Sequence, residues 1–342
     1  MSLKNLSVKT KIHKLLKDKL KNKKISQIYK KFEKSLDISE SFIVAVSGGP
    51  DSLALSFLAK IYSIKKKIDV KFFIVDHKLR AESTSEAKIV RKILKKYLIN
   101  AEILTWKGKK PLKNIQSLAR KKRYELLLDM CAKYRINNIL LGHHQDDLLE
   151  NFLIRMLRGS GLKGLISLNK KTKNDNVNLL RPMLDSKKKD LLFLSKYVFN
   201  FYIKDPSNEN VKYQRIKVRK LIKDLEKEGL DKKKFVNTIK NLKSSYDVIN
   251  FYVQKNLKKN TSFSSTKGNL ILNNFFFKQP YEVTFRALSD SIKLVGKKYY
   301  SPRGKKLDKI INDIKKNRLS KVTLGGCIIE KVNQTVIISK EY

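Results

Sequence analysis

The apolar run Phe42-Ile-Val-Ala-Val46 leads without a spacer into Ser47-Gly-Gly-Pro-Asp-Ser52, and this junction constrains the fold more than any other stretch. A continuous apolar run rich in β-branched residues fits a strand buried on both faces, as in a parallel sheet. Two glycines and a proline then impose a turn, and a helix is expected from Asp51 or Ser52 onward. A strand–turn–helix of this kind aims backbone N–H groups, two serine hydroxyls and the positive end of a helix dipole at one point. That point suits a phosphate chain. The loop has no Gly-Lys-Ser/Thr ending, so the lysine that common ATPase loops set against the β/γ-phosphates is missing.

The pattern after the junction alternates. Strand-like segments at 42–46, 70–75, 101–104 and 138–142 are separated by helical stretches near 52–66, 83–98 and 113–135. Alternation of this kind predicts an α/β fold with a parallel sheet covered on both faces, and ligands beyond the carboxyl ends of its strands. Residues 1–40 read as a basic helical arm with Ile12, Leu15, Leu16 and Leu20 at helical spacing, and 41–220 as the nucleotide-binding domain. A lysine-rich helical linker is placed at 221–245 and a smaller α+β domain at 246–342. The last domain contains a helix with Leu307, Ile310, Ile311 and Ile314 on one face, and a hairpin pairing 327–332 with 335–338 across Asn333-Gln334.

Charge narrows the partners. The 342 residues carry 77 Lys+Arg against 31 Asp+Glu, a net +46, which calls for a polyanionic partner, nucleic acid ahead of membrane. Abundant Lys, Asn and Ile also fit an AT-biased genome, which accounts for part of that charge. No apolar run approaches the ~18 residues of a membrane helix, and the basic N-terminus has no apolar signal region. A cytoplasmic protein is the expectation. Cys131 and Cys327 are the only cysteines and form no Cys-x-x-Cys pair, so structural zinc or a dithiol relay is not expected.

Four further stretches carry chemistry. Val75-Asp-His-Lys-Leu-Arg80 puts Asp76 at a strand's carboxyl end, where it can accept from a ribose or amino group or simply cap a turn; His77 and Arg80 can face the same crevice. Arg120 and Arg123 share a helical face and can hold a phosphate, or can be solvated. Gly142-His-His-Gln-Asp-Asp-Leu-Leu-Glu150 is the densest cluster: Asp147 and Glu150, three apart, can ligate Mg²⁺ or bind an ammonium group. Arg158-Gly-Ser-Gly-Leu-Lys-Gly164 reads as a mobile glycine-rich loop, and Asp205-Pro-Ser-Asn208 precedes Arg215, Lys217 and Arg219.

The loop at Ser47–Ser52 resembles that of the ATP pyrophosphatase family, whose members cut ATP between its α- and β-phosphates. With the other segments, Arg181-Pro-Met-Leu184 included, the order and spacing over 42–220 resemble the tRNA(Ile)-lysidine synthases. Thr323-Leu-Gly-Gly and the closing hairpin look like part of that family's C-terminal region, while longer members carry a further domain that this length does not hold. The chain departs from the pattern at Leu148, usually Gln, and Asn151, usually Thr. The resemblance implies ATP- and Mg²⁺-dependent ligation of free lysine to C2 of the first anticodon cytidine of a CAU-anticodon isoleucine tRNA. It implies that Ser47, Gly48, Gly49, Pro50, Asp51, Ser52, Asp76 and His77 hold ATP. Asp51, Arg123, His143, Asp147 and Glu150 would be catalytic, with Asp51 and Asp147 near the metal, and Arg158, Arg215 and Arg219 would contact tRNA. It allows a homodimer. The alternatives are a tRNA cytidine thiolase, a small-molecule AMP-forming amidotransferase, or a non-catalytic RNA-binding relative.

Overall fold

The computed structural model of the chain describes residues 14, 16–108, 115–174, 176–204, 214–264, 268–298, 302 and 304–341. Ile12, Leu15 and the Asp205–Asn208 stretch lie outside them. Two compact units are formed, Met1–Asn237 and Thr238–Tyr342. The division falls within the long helix Lys232–Asn260. Among the described residues no helix is long and apolar enough to cross a membrane.

The first unit is built on six strands: β1 Phe42–Val46, β2 Val70–Asp76, β3 Ala101–Thr105, β4 Asn138–Leu140, β5 Lys171–Asn174 and β6 Val177–Leu180. Their order is β3-β2-β1-β4-β6-β5. Pairing is parallel except for the β5/β6 hairpin at the edge. That hairpin is absent from the sequence expectation. Lys171-Thr-Lys-Asn174 is a polar edge strand with no apolar alternation to reveal it.

The two-residue period of a strand sorts the core into two layers. Phe42, Val44 and Val46 of β1, with Phe72 and Ile74 of β2, face a core shared with the helices Lys23–Ser35, Pro50–Lys66 and Lys188–Phe199. Ile43 and Phe73 face the other core, with Leu127 and Cys131 of the helix Ile115–Tyr134. Pro50–Lys66 is apolar nearly all round, from Leu53 and Leu55 to Phe57 and Leu58, because it lies between the sheet and its neighbouring helices. It starts one residue earlier than expected. Gly49 is the N-cap and Pro50 takes the first helical position, where a missing N–H costs nothing.

The second unit has five antiparallel strands, β7 Thr261–Ser264, β8 Asn269–Leu272, β9 Lys321–Leu324, β10 Cys327–Val332 and β11 Thr335–Lys340, in the order β7-β8-β11-β10-β9. The helices Tyr281–Gly296 and Gly304–Lys315 supply its core, and Leu307, Ile310, Ile311 and Ile314 are all buried. The β10/β11 hairpin turns at Asn333, whose φ is 51°.

Gly296 gives a sharp test of this packing. Alanine normally stabilises a helix over glycine by about 1 kcal/mol, but here a Cβ would sit 2.4 Å from the Gly325 carbonyl oxygen and 3.0 Å from Cys327 Sγ. Gly296→Ala is therefore expected to destabilise by about 2 kcal/mol in urea denaturation. A neutral or stabilised variant would refute the close approach.

Candidate active site

β1 and β4 are hydrogen-bonded neighbours, and the chain proceeds from β1 towards β2 and β3 on one side and from β4 towards β6 on the other. This is the switch point at which open α/β sheets bind ligands. The segments leaving β1 and β4, Ser47–Ser52 and Gly142–Asp147, meet there. A Cβ on Gly142 would touch Ser52 Cα at 3.4 Å.

The loop after β1 is held by its serines. Ser52 Oγ donates to the Gly49 carbonyl at 3.0 Å and accepts from the Ser47 amide at 3.1 Å; the two hydroxyl oxygens lie 3.2 Å apart. Gly48 has φ of 81°, and a Cβ there would lie 2.6 Å from Val90 Cγ2 and 2.8 Å from Ile203 Cδ1. Only glycine fits this turn. Asp51 sits in the first helical turn, and its Oδ1 is buried with no hydrogen-bond partner among the described residues.

His144 connects this loop to the next helix, Gln145–Met156. It is the N-cap: its Nδ1 accepts from the Asp146 amide at 3.2 Å, while its own amide donates to Asp147 Oδ2 at 2.9 Å. Its Nε2 lies 3.5 Å from Asp51 Oδ2 and 3.6 Å from Asp147 Oδ2. Burial opposes protonation of His144, but the hydrogen bond to Asp51 and the charges of Asp147, Asp51 and Asp146 outweigh it, so its pKa is raised. From residue pattern alone His144 has no role beyond membership of the cluster.

Asp147 and Glu150 project from the same face of this helix into the helix Gln214–Lys227. Arg215 bridges them, pairing with Asp147 Oδ1 and, at 2.5 Å, with Glu150 Oε2; Arg219 Nε meets Glu150 Oε1 at 2.6 Å. The structure thus joins residues that the sequence assigned to separate tasks. Burial pushes the Glu150 carboxyl up, but Arg215 and Arg219 together hold it below the usual range. Asp147 has both oxygens engaged, by Arg215 and by the His144 amide. Among the described residues no group of three or more His, Cys, Asp or Glu is placed to hold a metal ion.

The β2 side is different in kind. Asp76 is buried, and its carboxylate accepts from the Lys78 amide at 3.0 Å, Ser83 Oγ at 2.9 Å and Thr84 Oγ1 at 2.6 Å. Burial raises its pKa, and those hydrogen bonds bring it below the ordinary value. Its carboxylate pins the turn into the helix Ser83–Lys95. Arg123 donates from Nε to His77 Nε2 at 3.3 Å, which leaves the proton of the neutral ring on Nδ1. Burial first, then the Arg123 charge, bring His77 down to about 4. Arg80 is paired with Glu86 at 2.8 Å.

His143 is likewise pushed well below the ordinary histidine value, by burial and by Arg181, Arg120 and Arg215. The neutral imidazole is therefore the favoured form at pH 7. Arg181, which follows the last residue of β6, is buried and donates to the Asn169 carbonyl at 2.9 Å and Thr172 Oγ1 at 3.0 Å. A charged residue directly after an apolar strand was the available signal for it. Four buried polar atoms without a hydrogen-bond partner among the described residues belong to residues at the carboxyl ends of β1, β2, β4 and β6: Asp51 Oδ1, His77 Nδ1, His143 Nδ1 and Arg181 Nε. Unpaired buried groups of this kind are costly unless something meets them. One anionic acceptor, a cationic donor and two neutral imidazole nitrogens match a ligand with both phosphate and hydrogen-bonding base or sugar groups.

Arg158 is exposed and donates to Gln214 Oε1 at 2.6 Å, while Arg120 lies against Tyr124. In the glycine-rich loop Gly161 caps the short helix Leu162–Leu165. Both cysteines are buried, and burial pushes the Cys131 thiol up to about 11.

The PP-loop domain family ATP_bind_3 matches residues 17–225. A tRNA(Ile)-lysidine synthase of Orientia tsutsugamushi (strain Boryong) is 36% identical over 307 residues, covering 87% of this chain and 69% of that protein. The enzyme of the same name from the Wolbachia of Brugia malayi is 32% identical over 301 residues, covering 87% and 70%. Among solved structures, the U34-tRNA thiolase NcsA of Methanococcus maripaludis, with its 4Fe–4S cluster, aligns with a TM-score of 0.55 at 21% identity, over 64% of this chain and 79% of that one. The likeness to NcsA is one of fold.

The ion-pair cluster makes a quantitative prediction. Arg215 is 43% exposed as a side chain, yet it faces carboxylates only 10% and 3% exposed. Its removal should cost between the ~0–1 kcal/mol of a surface pair and the ~3–5 of a buried one, about 2 kcal/mol. In a urea-denaturation double-mutant cycle, Arg215→Ala in a Glu150→Gln background should cost at least about 1 kcal/mol less. Additive costs would show that the two side chains do not interact.

Proposed function

We propose that this chain, which belongs to the tRNA(Ile)-lysidine synthase family of PP-loop proteins, ligates free lysine to C2 of the first anticodon cytidine of a CAU-anticodon isoleucine tRNA at the expense of ATP. The four unpartnered buried atoms around the β1/β4 switch point carry this reading, because they ask for a nucleotide where the phosphate loop would hold one. ATP, free lysine and tRNA meet in the cytoplasm, which is where the protein would act.

The cytidine O2 belongs to a urea-like carbonyl and is a poor leaving group. In the first step O2 attacks the α-phosphorus of ATP; an O–P bond forms, the bond to the β-phosphate bridging oxygen breaks, and pyrophosphate departs. In the second, the neutral ε-amine of lysine attacks C2, a C–N bond forms, and the C2–O2 bond breaks with O2 leaving as part of AMP. The amine proton passes to a base.

The residues divide this work. Ser47–Ser52 would cradle the phosphates with hydroxyls and the amides of a helix N-terminus. Asp51 Oδ1, a buried unpartnered carboxylate oxygen, fits a magnesium ion. Such an ion, when bound, offsets charge on the triphosphate. Asp147 reaches a metal only if Arg215 gives way. Arg181 and neutral His143 would donate to phosphate oxygens that gain charge as pyrophosphate and AMP leave. Arg123 would orient His77 for the nucleotide, and Asp76 would support that loop rather than touch the ligand. Asp147 and Glu150 would receive the lysine ammonium, sharing their oxygens with Arg215 and Arg219. Glu150, held below the usual carboxylate range, is a weak base, so the pair serves better to position the amine.

Sulfur transfer is the chemistry named for the fold neighbour NcsA. In this chain Cys131 and Cys327 are buried in separate hydrophobic cores with raised thiol pKa values. Neither is poised as a nucleophile.

The test is incorporation of labelled lysine into an isoleucine tRNA transcript with ATP and Mg²⁺, beside a methionine tRNA of the same anticodon. Label should enter only the isoleucine tRNA, and Asp51→Ala should reduce it by roughly 10²–10³-fold. Equal labelling of both tRNAs, or an unaffected Asp51→Ala, would contradict the assignment.

A further inference from the structure

We infer that the solvent face of the helix Lys23–Ser35 is a binding surface for the ribose-phosphate backbone of the RNA substrate, centred on Lys23, Lys24 and Lys31. The inference rests on the reading of the chain as a tRNA-modifying enzyme and assigns a surface that this reading leaves unused.

The helix is divided cleanly. Ile25, Ile28, Tyr29 and Phe32 are buried against the first core, while Lys23, Lys24, Gln27, Lys30, Lys31 and Lys34 are exposed. The apolar face fixes the helix in place, so the lysines are presented on a rigid element rather than a loose tail. Lys23, Lys24, Gln27 and Lys31 line an open cavity of about 350 Å³ with Ile28 and Asp190. Asp190 lies 3.4 Å from Lys24 and offsets part of its charge, and Glu33 is 2.8 Å from Lys65, whereas Lys23 and Lys31 have no ion pair among the described residues. Lys187, Lys188 and Lys189, exposed at the start of the neighbouring helix, add to the same field. Asn22 Oδ1 caps the helix by accepting from the Lys24 and Ile25 amides, so the attraction comes from ammonium groups and not from free backbone N–H groups.

Two ion pairs orient the surface. The Glu33 end of the helix pairs with Lys65, in the last turn of Pro50–Lys66, on the amino-end side of the sheet. The Lys24 end pairs with Asp190, in the first turn of Lys188–Phe199, which begins after the loop leaving the carboxyl end of β6. The Lys23/Lys24 end of the cavity therefore lies towards the sheet edge that carries the phosphate loop, His144 and Arg181. A polyanion that places one nucleotide at that edge passes over this face. The helix is ~20 Å long, enough to follow several phosphates, whose spacing and charge suit independent lysines better than a single-anion pocket would.

The experiment measures tRNA affinity as a function of salt for Lys23→Ala/Lys24→Ala/Lys31→Ala. The comparison is a triple of equal charge at the opposite end of the sheet, Lys66→Ala/Lys92→Ala/Lys95→Ala, all exposed near helix C-termini. The cavity triple should weaken binding by about 10- to 100-fold at physiological salt and lower the slope of log K against log salt by about 2, with the comparison triple changing affinity less than about threefold. Lysine incorporation at saturating tRNA should be unchanged, and thermal melting confirms that both variants fold. Unchanged affinity and slope in the cavity triple, or equal losses in both, would overturn the surface. Binding is read without catalysis, so a wild-type protein that binds tRNA but incorporates no lysine would contradict the ligase reading while leaving this result legible.

Discussion

Asp147 and Glu150 can be buried only because Arg215 and Arg219 come to them. Two carboxylates on one helical face, nearly excluded from solvent, would repel each other and lose hydration if left alone. The guanidinium groups of the helix Gln214–Lys227 remove that penalty. They bind the end of the catalytic unit to its centre, across 65 to 69 residues of sequence. His144 carries the connection onward to Asp51 and so to the phosphate loop. Arg215, Asp147, His144 and Asp51 thus form a continuous series of contacts from the helix Gln214–Lys227 to the loop after β1. The helix Gln214–Lys227 and the loop Ser47–Ser52 are joined by one series of charged and polar side chains.

How much of this is legible in the sequence depends on whether the cause is local. The strand Phe42–Val46, the turn at Gly48 and the helix beyond it follow from residues adjacent in the chain, and the two-residue period of β1 and β2 sorts their side chains to opposite cores. The face of Gly304–Lys315 follows equally from spacing. Asp76 shows the limit. Its position at a strand end was plain, but only the fold brings Ser83 and Thr84, seven and eight residues on, to fill its oxygens. The pairing of Arg215 with Glu150 has no local signature at all. Arg181 lay within reach of sequence reasoning, since a strand's carboxyl edge is where a charged side chain meets a ligand.

The electrostatics of the site are graded rather than uniformly basic. His77 and His143 are neutral because burial and neighbouring cations make a further charge costly. His144, beside three carboxylates, is biased the other way. Permanent charge is thus confined to the arginines and acids, and the neutral imidazoles add directional donors without adding to the repulsion among Arg120, Arg181 and Arg215. A nucleotide would complete this arrangement by meeting atoms that the protein leaves unpaired.

Whether nucleotide and cytidine react at one site before lysine takes part is decided with ATP labelled at the α-phosphate, isoleucine tRNA and no lysine. Label is expected to become bound to the tRNA in step with pyrophosphate release, and added lysine to discharge it as AMP. Pyrophosphate that appears only when lysine is present, with no label on the tRNA at any time, would contradict this order.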